Sequence, residues 1–227
     1  MAGKIVTFEG CDGCGKHTQS VLFHQYLLDQ GIEAELYSFP SHGSYSAKPV
    51  EMYLQGRLGD NLSALSIGML YAFDRVNTIK DNEIEKKLEN GTWIIFDRYT
   101  ESNVIYMAAK CKFNNSEDAD ELAEKLFHLE HEVLGLPYPN ETVYLNLSRE
   151  INMNMLNDRN TVKDIHEQND AFLNECARIG LDIADKCENF IIECDNEDKS
   201  GVRDKDDIHN EIVEKLRPLI EEYLKEN

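Results

Sequence analysis

Five short runs of apolar and β-branched residues recur along the chain: "KIVTFE" (4–9), "AELYSF" (34–39), "TWIIFD" (92–97), "TVYLNL" (142–147) and "NFIIEC" (189–194). They are nearly continuous rather than alternating, which is the pattern of strands covered on both faces. Between them, apolar residues fall at helical spacing over about 16–30, 63–89, 101–112, 117–134 and 166–187, and a last such segment runs over about 206–225. This alternation predicts an α/β fold, a five-stranded parallel sheet with helices on both faces, organised as one domain over 1–227. Ligands of such sheets bind beyond the carboxyl ends of the strands. The stretch 154–170, "NMLNDRNTVKDIHEQND", keeps no period. It reads either as a solvated loop or as a mobile lid, with Arg159 and Lys163 as the cations it would carry over a ligand.

Composition narrows the partners. Hydrophobic residues make up 41% of the chain, so a packed core is expected rather than disorder. The formal net charge is −20 and the pI about 4.7, which argues against a nucleic-acid footprint or an anionic membrane surface. A phosphate site in such a chain has to concentrate its few cations and its backbone N–H groups. No apolar run approaches the ~20 residues of a membrane span. The start, "MAGKIVTFEG", enters a strand without a signal-peptide pattern, so a cytoplasmic protein is expected. Six scattered cysteines suggest no disulfide framework in a reducing compartment. Cys11 and Cys14 form C-x-x-C, but no second half of a zinc site accompanies them.

The chemistry concentrates in "FEGCDGCGKHTQ" (8–19). GxxxxGK is satisfied from Gly10 to Lys16, directly after a strand and at the opening of a helix. Gly10, Gly13 and Gly15 permit a tight turn and close backbone approach to phosphate oxygens. With Cys11, Asp12, Cys14, Lys16, His17 and Thr18 they make the expected ATP cradle, and Lys16 reaches the β- and γ-phosphates. His17 occupies the position where GTPases and many ATPases place a Mg²⁺-binding hydroxyl. Thr18 offers a hydroxyl one place on. Mg²⁺ that keeps several waters can instead use phosphate oxygens and a carboxylate such as Asp97, at the end of "TWIIFD". His17 therefore points away from a GTPase switch and toward nucleoside monophosphate kinases.

Taken with "SFP" (38–40), "YAFDR" (71–75), "FDRYTESNVIY" (96–106) and "KDIHE" (163–167), the loop resembles the thymidylate kinase family, in order, over about residues 3 to 195. The resemblance implies the P-loop nucleoside monophosphate kinase fold with a short lid, ATP and Mg²⁺, dTMP as acceptor, and a homodimer. It places Asp12 toward the acceptor sugar and the metal region, with Glu167 assisting, and Phe39, Pro40 and His42 on the acceptor side. Tyr71 would stack on the base and Arg75 donate to a pyrimidine carbonyl. Arg98 would clamp the monophosphate, Asn103 pair with the thymine edge, and Tyr106 pack where a ribose 2′-hydroxyl would sit. Arg159 and Lys163 would close over the transferring phosphoryl group. From helical spacing alone, Tyr71 and Arg75 read first as a core aromatic and a surface ion pair, while for Asn103 and Tyr106 a cap and a core aromatic is the lesser alternative. Three positions depart from the family: His42 stands where an Arg is common, leaving Lys48 as a substitute cation. Asp164-Ile165-His166-Glu167 lacks the lid Arg, and Met107 replaces a Gln. The expected function is phosphoryl transfer from ATP to dTMP. The alternatives are a kinase for another nucleoside monophosphate, or a nucleotide-binding protein without catalysis.

Overall fold

The computed structural model describes residues 2–59, 61–114, 118–157, 165–166 and 169–226. Among these, β1 (Ile5–Gly10), β2 (Ala34–Ser38), β3 (Trp93–Asp97), β4 (Glu141–Asn146) and β5 (Phe190–Glu193) form one sheet in the order β2-β3-β1-β4-β5. Every pairing is parallel, with Phe8 of β1 beside Asp97 of β3 and Val143 of β4. Alternate residues serve opposite faces. Val6, Phe8, Trp93, Ile95, Val143 and Leu145 pack on one side against the first and last helices, α1 (Lys16–Asp29) and α9 (Lys205–Glu226). Ile94 and Phe96 join a second cluster with Phe39, Ile79 and Tyr99. Tyr144 faces a third, with α3 (Ala64–Asp81), α5 (Thr100–Asn114), α6 (Ala119–Phe127) and α8 (Asp170–Lys186).

The chain leaving β1 enters α1 on one face, and the chain leaving β3 enters α5 on the other. Their divergence opens a crevice at the carboxyl ends of two neighbouring strands, where ligands of open parallel sheets bind.

Several elements differ from the periodicity. The segment expected as one helix over 63–89 is α3 followed by α4 (Ile84–Glu89), because Glu83 takes a left-handed φ of 51° between them. Ser63 caps α3 by accepting from the N–H of Ser66 at 3.1 Å. The helix expected at 117–134 begins at an Asp118 cap and turns, after Phe127, into a π-helical stretch over His128–Val133. Two short helices fall where none was expected: α2 (Lys48–Leu54) and α7 (Arg149–Asn157). Both are short, and α7 intersperses its apolar residues with Asn. No described helix is long and apolar enough to cross a membrane.

Candidate active site

The phosphate loop leaves β1 at Gly10 with φ 137°. A Cβ there would lie 2.5 Å from the Leu145 carbonyl oxygen and 2.8 Å from Cys14 Sγ, so only glycine fits. Lys16 is buried, and its Nζ donates to the carbonyls of Gly10 at 3.0 Å and Cys11 at 2.5 Å. The lysine thus holds the loop's own oxygens. His17 points outward with its side chain 75% exposed, and its Nδ1 lies 3.2 Å from Asp97 Oδ2. Thr18 is exposed beside it. Burial, then the neighbouring Cys14, pushes the Cys11 thiol up to about 11, and Cys14 is buried. The Cys11 sulfur thus lacks the character of a reactive thiolate.

Beside the loop lies a cavity of about 490 Å³ that opens between the ends of β1, β2 and β3. Its walls include Asp12, His42, Tyr71, Arg98, Tyr106 and His166. Arg98 follows β3 with a left-handed φ of 68°, a conformation uncommon for a residue with a side chain. The surroundings hold it there. Glu9, fully buried at the end of β1, accepts the N–H groups of Tyr99 at 2.7 Å and Ser102 at 3.2 Å, and the Ser102 hydroxyl. Burial raises the Glu9 carboxyl above its ordinary value, against these hydrogen bonds and Arg98. The turned guanidinium donates from Nη1 to Ser102 Oγ at 3.1 Å and from Nη2 to Asp12 Oδ1. Asp12 also accepts from the Tyr106 hydroxyl at 2.5 Å. Burial works against the Asp12 anion, but Arg98, then Lys16 and the Tyr106 hydrogen bond, bring its carboxyl down to about 2. Both Asp12 oxygens are therefore engaged with acceptor-side residues, an arrangement that orients the Arg98 clamp.

Deeper in the cavity, Arg75 is 1% exposed. Its Nε and Nη2 donate to Glu130 Oε2 and Oε1 at 2.6 and 2.7 Å, a two-pronged buried pair rather than a surface one. Asn103 Nδ2 donates to the Gly68 carbonyl at 3.0 Å and to Glu130 Oε1 at 2.7 Å, while its Oδ1 is buried without a partner. Met107, fully buried, lines the same wall and offers no hydrogen bond to it.

A family model described as thymidylate kinase matches residues 8–205. The chain belongs to the thymidylate kinase family. It is 27% identical to the thymidylate kinase of Plasmodium falciparum over 96% of this chain and 91% of that protein. It is 26% identical to that of Trichormus variabilis over 99% and 100%. A putative thymidylate kinase of Invertebrate iridescent virus 6 is 34% identical, but the match spans only about half of each protein, 48% of this chain and 49% of the viral one. In fold, the chain superposes on the thymidylate kinase of Candida albicans with a TM-score of 0.75, at 23% identity, over 96% of this chain and 92% of that one. The family reaction is transfer of the γ-phosphoryl group of ATP to dTMP.

Against the family's pattern, the structure brings Asp12, Arg98, Asn103, Tyr106, Tyr71 and Arg75 to one cavity, together with Phe39, Pro40 and His42. The Phe39–Pro40 peptide is cis. Lys48 is exposed on α2 and does not line this cavity. Arg159, Lys163 and Glu167 lie outside the described residues. The expected lid over 154–170 is described at 154–157, which belong to α7, at 165–166 and at 169–170, and His166 is packed in rather than solvated. It stacks on Phe172 at 4.9 Å between centroids and meets Tyr106 edge-on.

Four contributors carry no role in the sequence pattern. Glu9 braces the Arg98 turn. Asp74, within "YAFDR", accepts the Ser41 N–H at 2.7 Å, the Ser46 hydroxyl at 2.8 Å and the Ser41 hydroxyl, tethering the loop that carries His42. Asn152 of α7 donates to the Asp12 carbonyl at 2.5 Å. Glu130 joins Arg75 to Asn103. Glu9 and Asp74 had a sequence signal, their places inside recognised blocks, while Asn152 and Glu130 had none.

Proposed function

We propose that this chain transfers the γ-phosphoryl group of ATP to dTMP, yielding ADP and dTDP. The supporting observation is the hydrogen-bonding character of the inner wall. Asn103 Oδ1 can only accept, and Arg75 Nη1, which has no protein hydrogen bond among the described residues, can only donate. A thymine or uracil edge offers N3–H to the acceptor and O4 to the donor. Cytosine reverses both. A buried carbonyl without a partner costs ~1–3 kcal/mol, which a bound N3–H relieves. Met107 leaves this pair as the polar reading of the base.

The reaction requires little covalent chemistry from the protein. An oxygen of the acceptor phosphate attacks the γ-phosphorus, and ADP leaves. Lys16 exchanges the Gly10 and Cys11 carbonyls for β- and γ-phosphate oxygens, and the loop N–H groups and the α1 N-terminus face the same charge. Arg98 turns part of its guanidinium from Asp12 to the acceptor phosphate, while Tyr106 and Asp12 orient the sugar. Among the described residues, no three His, Cys, Asp or Glu side chains gather into a metal site. Asp97, whose Oδ1 has no side-chain partner among those residues, would hold Mg²⁺ together with water and phosphate oxygens, and the ion would neutralise developing charge. Arg159, Lys163 and Glu167 complete the proposal as lid residues. A homodimer is included on family grounds, and sedimentation at micromolar concentration tests it.

The decisive measurement is an acceptor panel read by ADP formation, with dTMP, dUMP, dCMP, dGMP and thymidine. Turnover with dTMP and dUMP far above dCMP is expected. ATP binding without turnover of any monophosphate would leave a nucleotide-binding protein, and preference for a purine would overturn the base reading.

A further inference from the structure

The wall that faces the base is set by a residue that does not touch it. We infer that Glu130 is the positioning residue for acceptor specificity, because it fixes which end of the Asn103 amide and which edge of the Arg75 guanidinium face the cavity. This rests on the reading of Asn103 and Arg75 as the base contacts.

An amide can turn over about its last bond, exchanging a donor for an acceptor at nearly the same place. On its own, Asn103 would serve thymine or cytosine equally well. Here both Nδ2 hydrogens are claimed, one by the Gly68 carbonyl at 3.0 Å and one by Glu130 Oε1 at 2.7 Å. Both partners are pure acceptors, so the reversed amide would set oxygen against oxygen twice. Oδ1 is left buried without a protein partner, on a residue that lines the cavity. The same carboxylate takes Nε and Nη2 of Arg75, at 2.6 and 2.7 Å, which leaves the Nη1 edge. One fully buried carboxylate thus fixes both halves of the donor–acceptor code.

Glu130 is held as firmly as it holds. It sits in the π stretch His128–Val133, a rare geometry that recurs at functional sites. The N–H of Leu136 donates to its carbonyl at 2.9 Å. Next to it, His131 bonds through Nδ1 to the Leu136 carbonyl at 2.9 Å and through Nε2 to Thr100 Oγ1 at 3.2 Å, tying the stretch to the start of α5. Gly68 is part of the device. A Cβ there would come within 2.8 Å of Leu126 Cδ2 and 3.4 Å of Asn103 Oδ1, so a glycine lets the amide reach the helix carbonyl.

The test is Glu130→Gln, with dTMP, dCMP and N3-methyl-dTMP as acceptors. Glutamine presents one acceptor and one donor, so Asn103 loses its fixed orientation. The ratio of kcat/KM for dTMP over dCMP should fall at least about 10-fold, through the acceptor KM, with the KM for ATP unchanged. The wild type should reject N3-methyl-dTMP, and the variant should reject it less. Asn103→Ala separates the two levels of the argument. If it collapses the ratio while Glu130→Gln leaves it intact, Glu130 is a structural residue only and the inference is wrong. If neither variant moves the ratio, the base reading itself fails. Should Glu130→Gln not fold, Glu130→Asp keeps the charge and withdraws the carboxylate from both partners. A ratio lowered about threefold or more then supports the inference, and an unchanged ratio overturns it.

Discussion

The donor loop and the acceptor cavity face each other across one crevice, yet they are built from different materials. The loop works with backbone. Its glycines, its N–H groups and the start of α1 lie within one contiguous stretch, and its one buried cation, Lys16, is satisfied by the loop's own carbonyls. The cavity works with side chains drawn from distant parts of the chain. Arg98 leans on Asp12, Glu9 braces the turn that carries Arg98, and Arg75 and Asn103 converge on Glu130. A backbone cradle recognises phosphate in any nucleotide. Buried ion pairs recognise one acceptor, because a change in either partner leaves a charge without compensation. The donor side should therefore tolerate variation around its glycines, and the acceptor side should not.

The largest effect should come from the donor side's one indispensable side chain. Lys16→Ala should lower kcat by about 10²–10³-fold or more, with the melting temperature nearly unchanged, because no charge is left stranded. Activity retained within an order of magnitude would remove the loop from the mechanism. Next comes Arg98→Ala, which should raise the acceptor KM by about 10–100-fold while the KM for ATP moves less than about twofold. Equal losses on both substrates would erase the distinction between the two sides. Away from the acceptor cavity, the stability of the fold carries a pH signature at Glu101. Burial first, then the nearby Glu9, raises the Glu101 carboxyl from 4.5 to about 8. A proton held this way stabilises the fold fully below 4.5, and the contribution is lost as the pH rises through about 8. Thermal melts should thus improve from pH 8 down toward 5, and Glu101→Gln, which can still accept from Asn189, should flatten the slope. A slope that persists in the variant would assign it elsewhere. The smallest effect is expected at His17. Its own side chain is exposed where it meets Asp97, so His17→Ser should alter kcat/KM by less than about fivefold. A gain of orders of magnitude would mean that a metal-binding hydroxyl is what this loop lacks.

The same contrast explains which features are legible in the sequence. The strands and the loop obey local rules: continuous apolar runs, and glycines at fixed offsets from Lys16. Arg98, Asn103 and Tyr106 stand out because "DRYTESNVIY" is a recognisable block. Glu130 is invisible. It lies on a different element from both of its partners, and nothing in "HLEHEV" separates it from the solvated acids around it. Arg75 shows the opposite ambiguity: its spacing from Tyr71 suits a surface pair, and only its burial reveals an interior one. Helix α7 carries Asn152 to the loop through a short segment whose apolar residues are interspersed with Asn.

The π stretch has a consequence for how this chain can change its length. An α-helix that gains one residue without shifting its ends becomes a π turn, and each residue removed rotates the downstream side chains by about 100°. Deleting His128 or Leu129, the two residues of the stretch ahead of Glu130, would restore the common helix and swing the carboxylate of Glu130 away from Arg75 and Asn103. Insertions and deletions should accumulate freely at the exposed turn near Asn196–Gly201 and be purged between residues 128 and 133. A library of single-codon deletions scored for growth would draw that boundary directly, and would mark the segment as one whose length, more than its composition, is under selection.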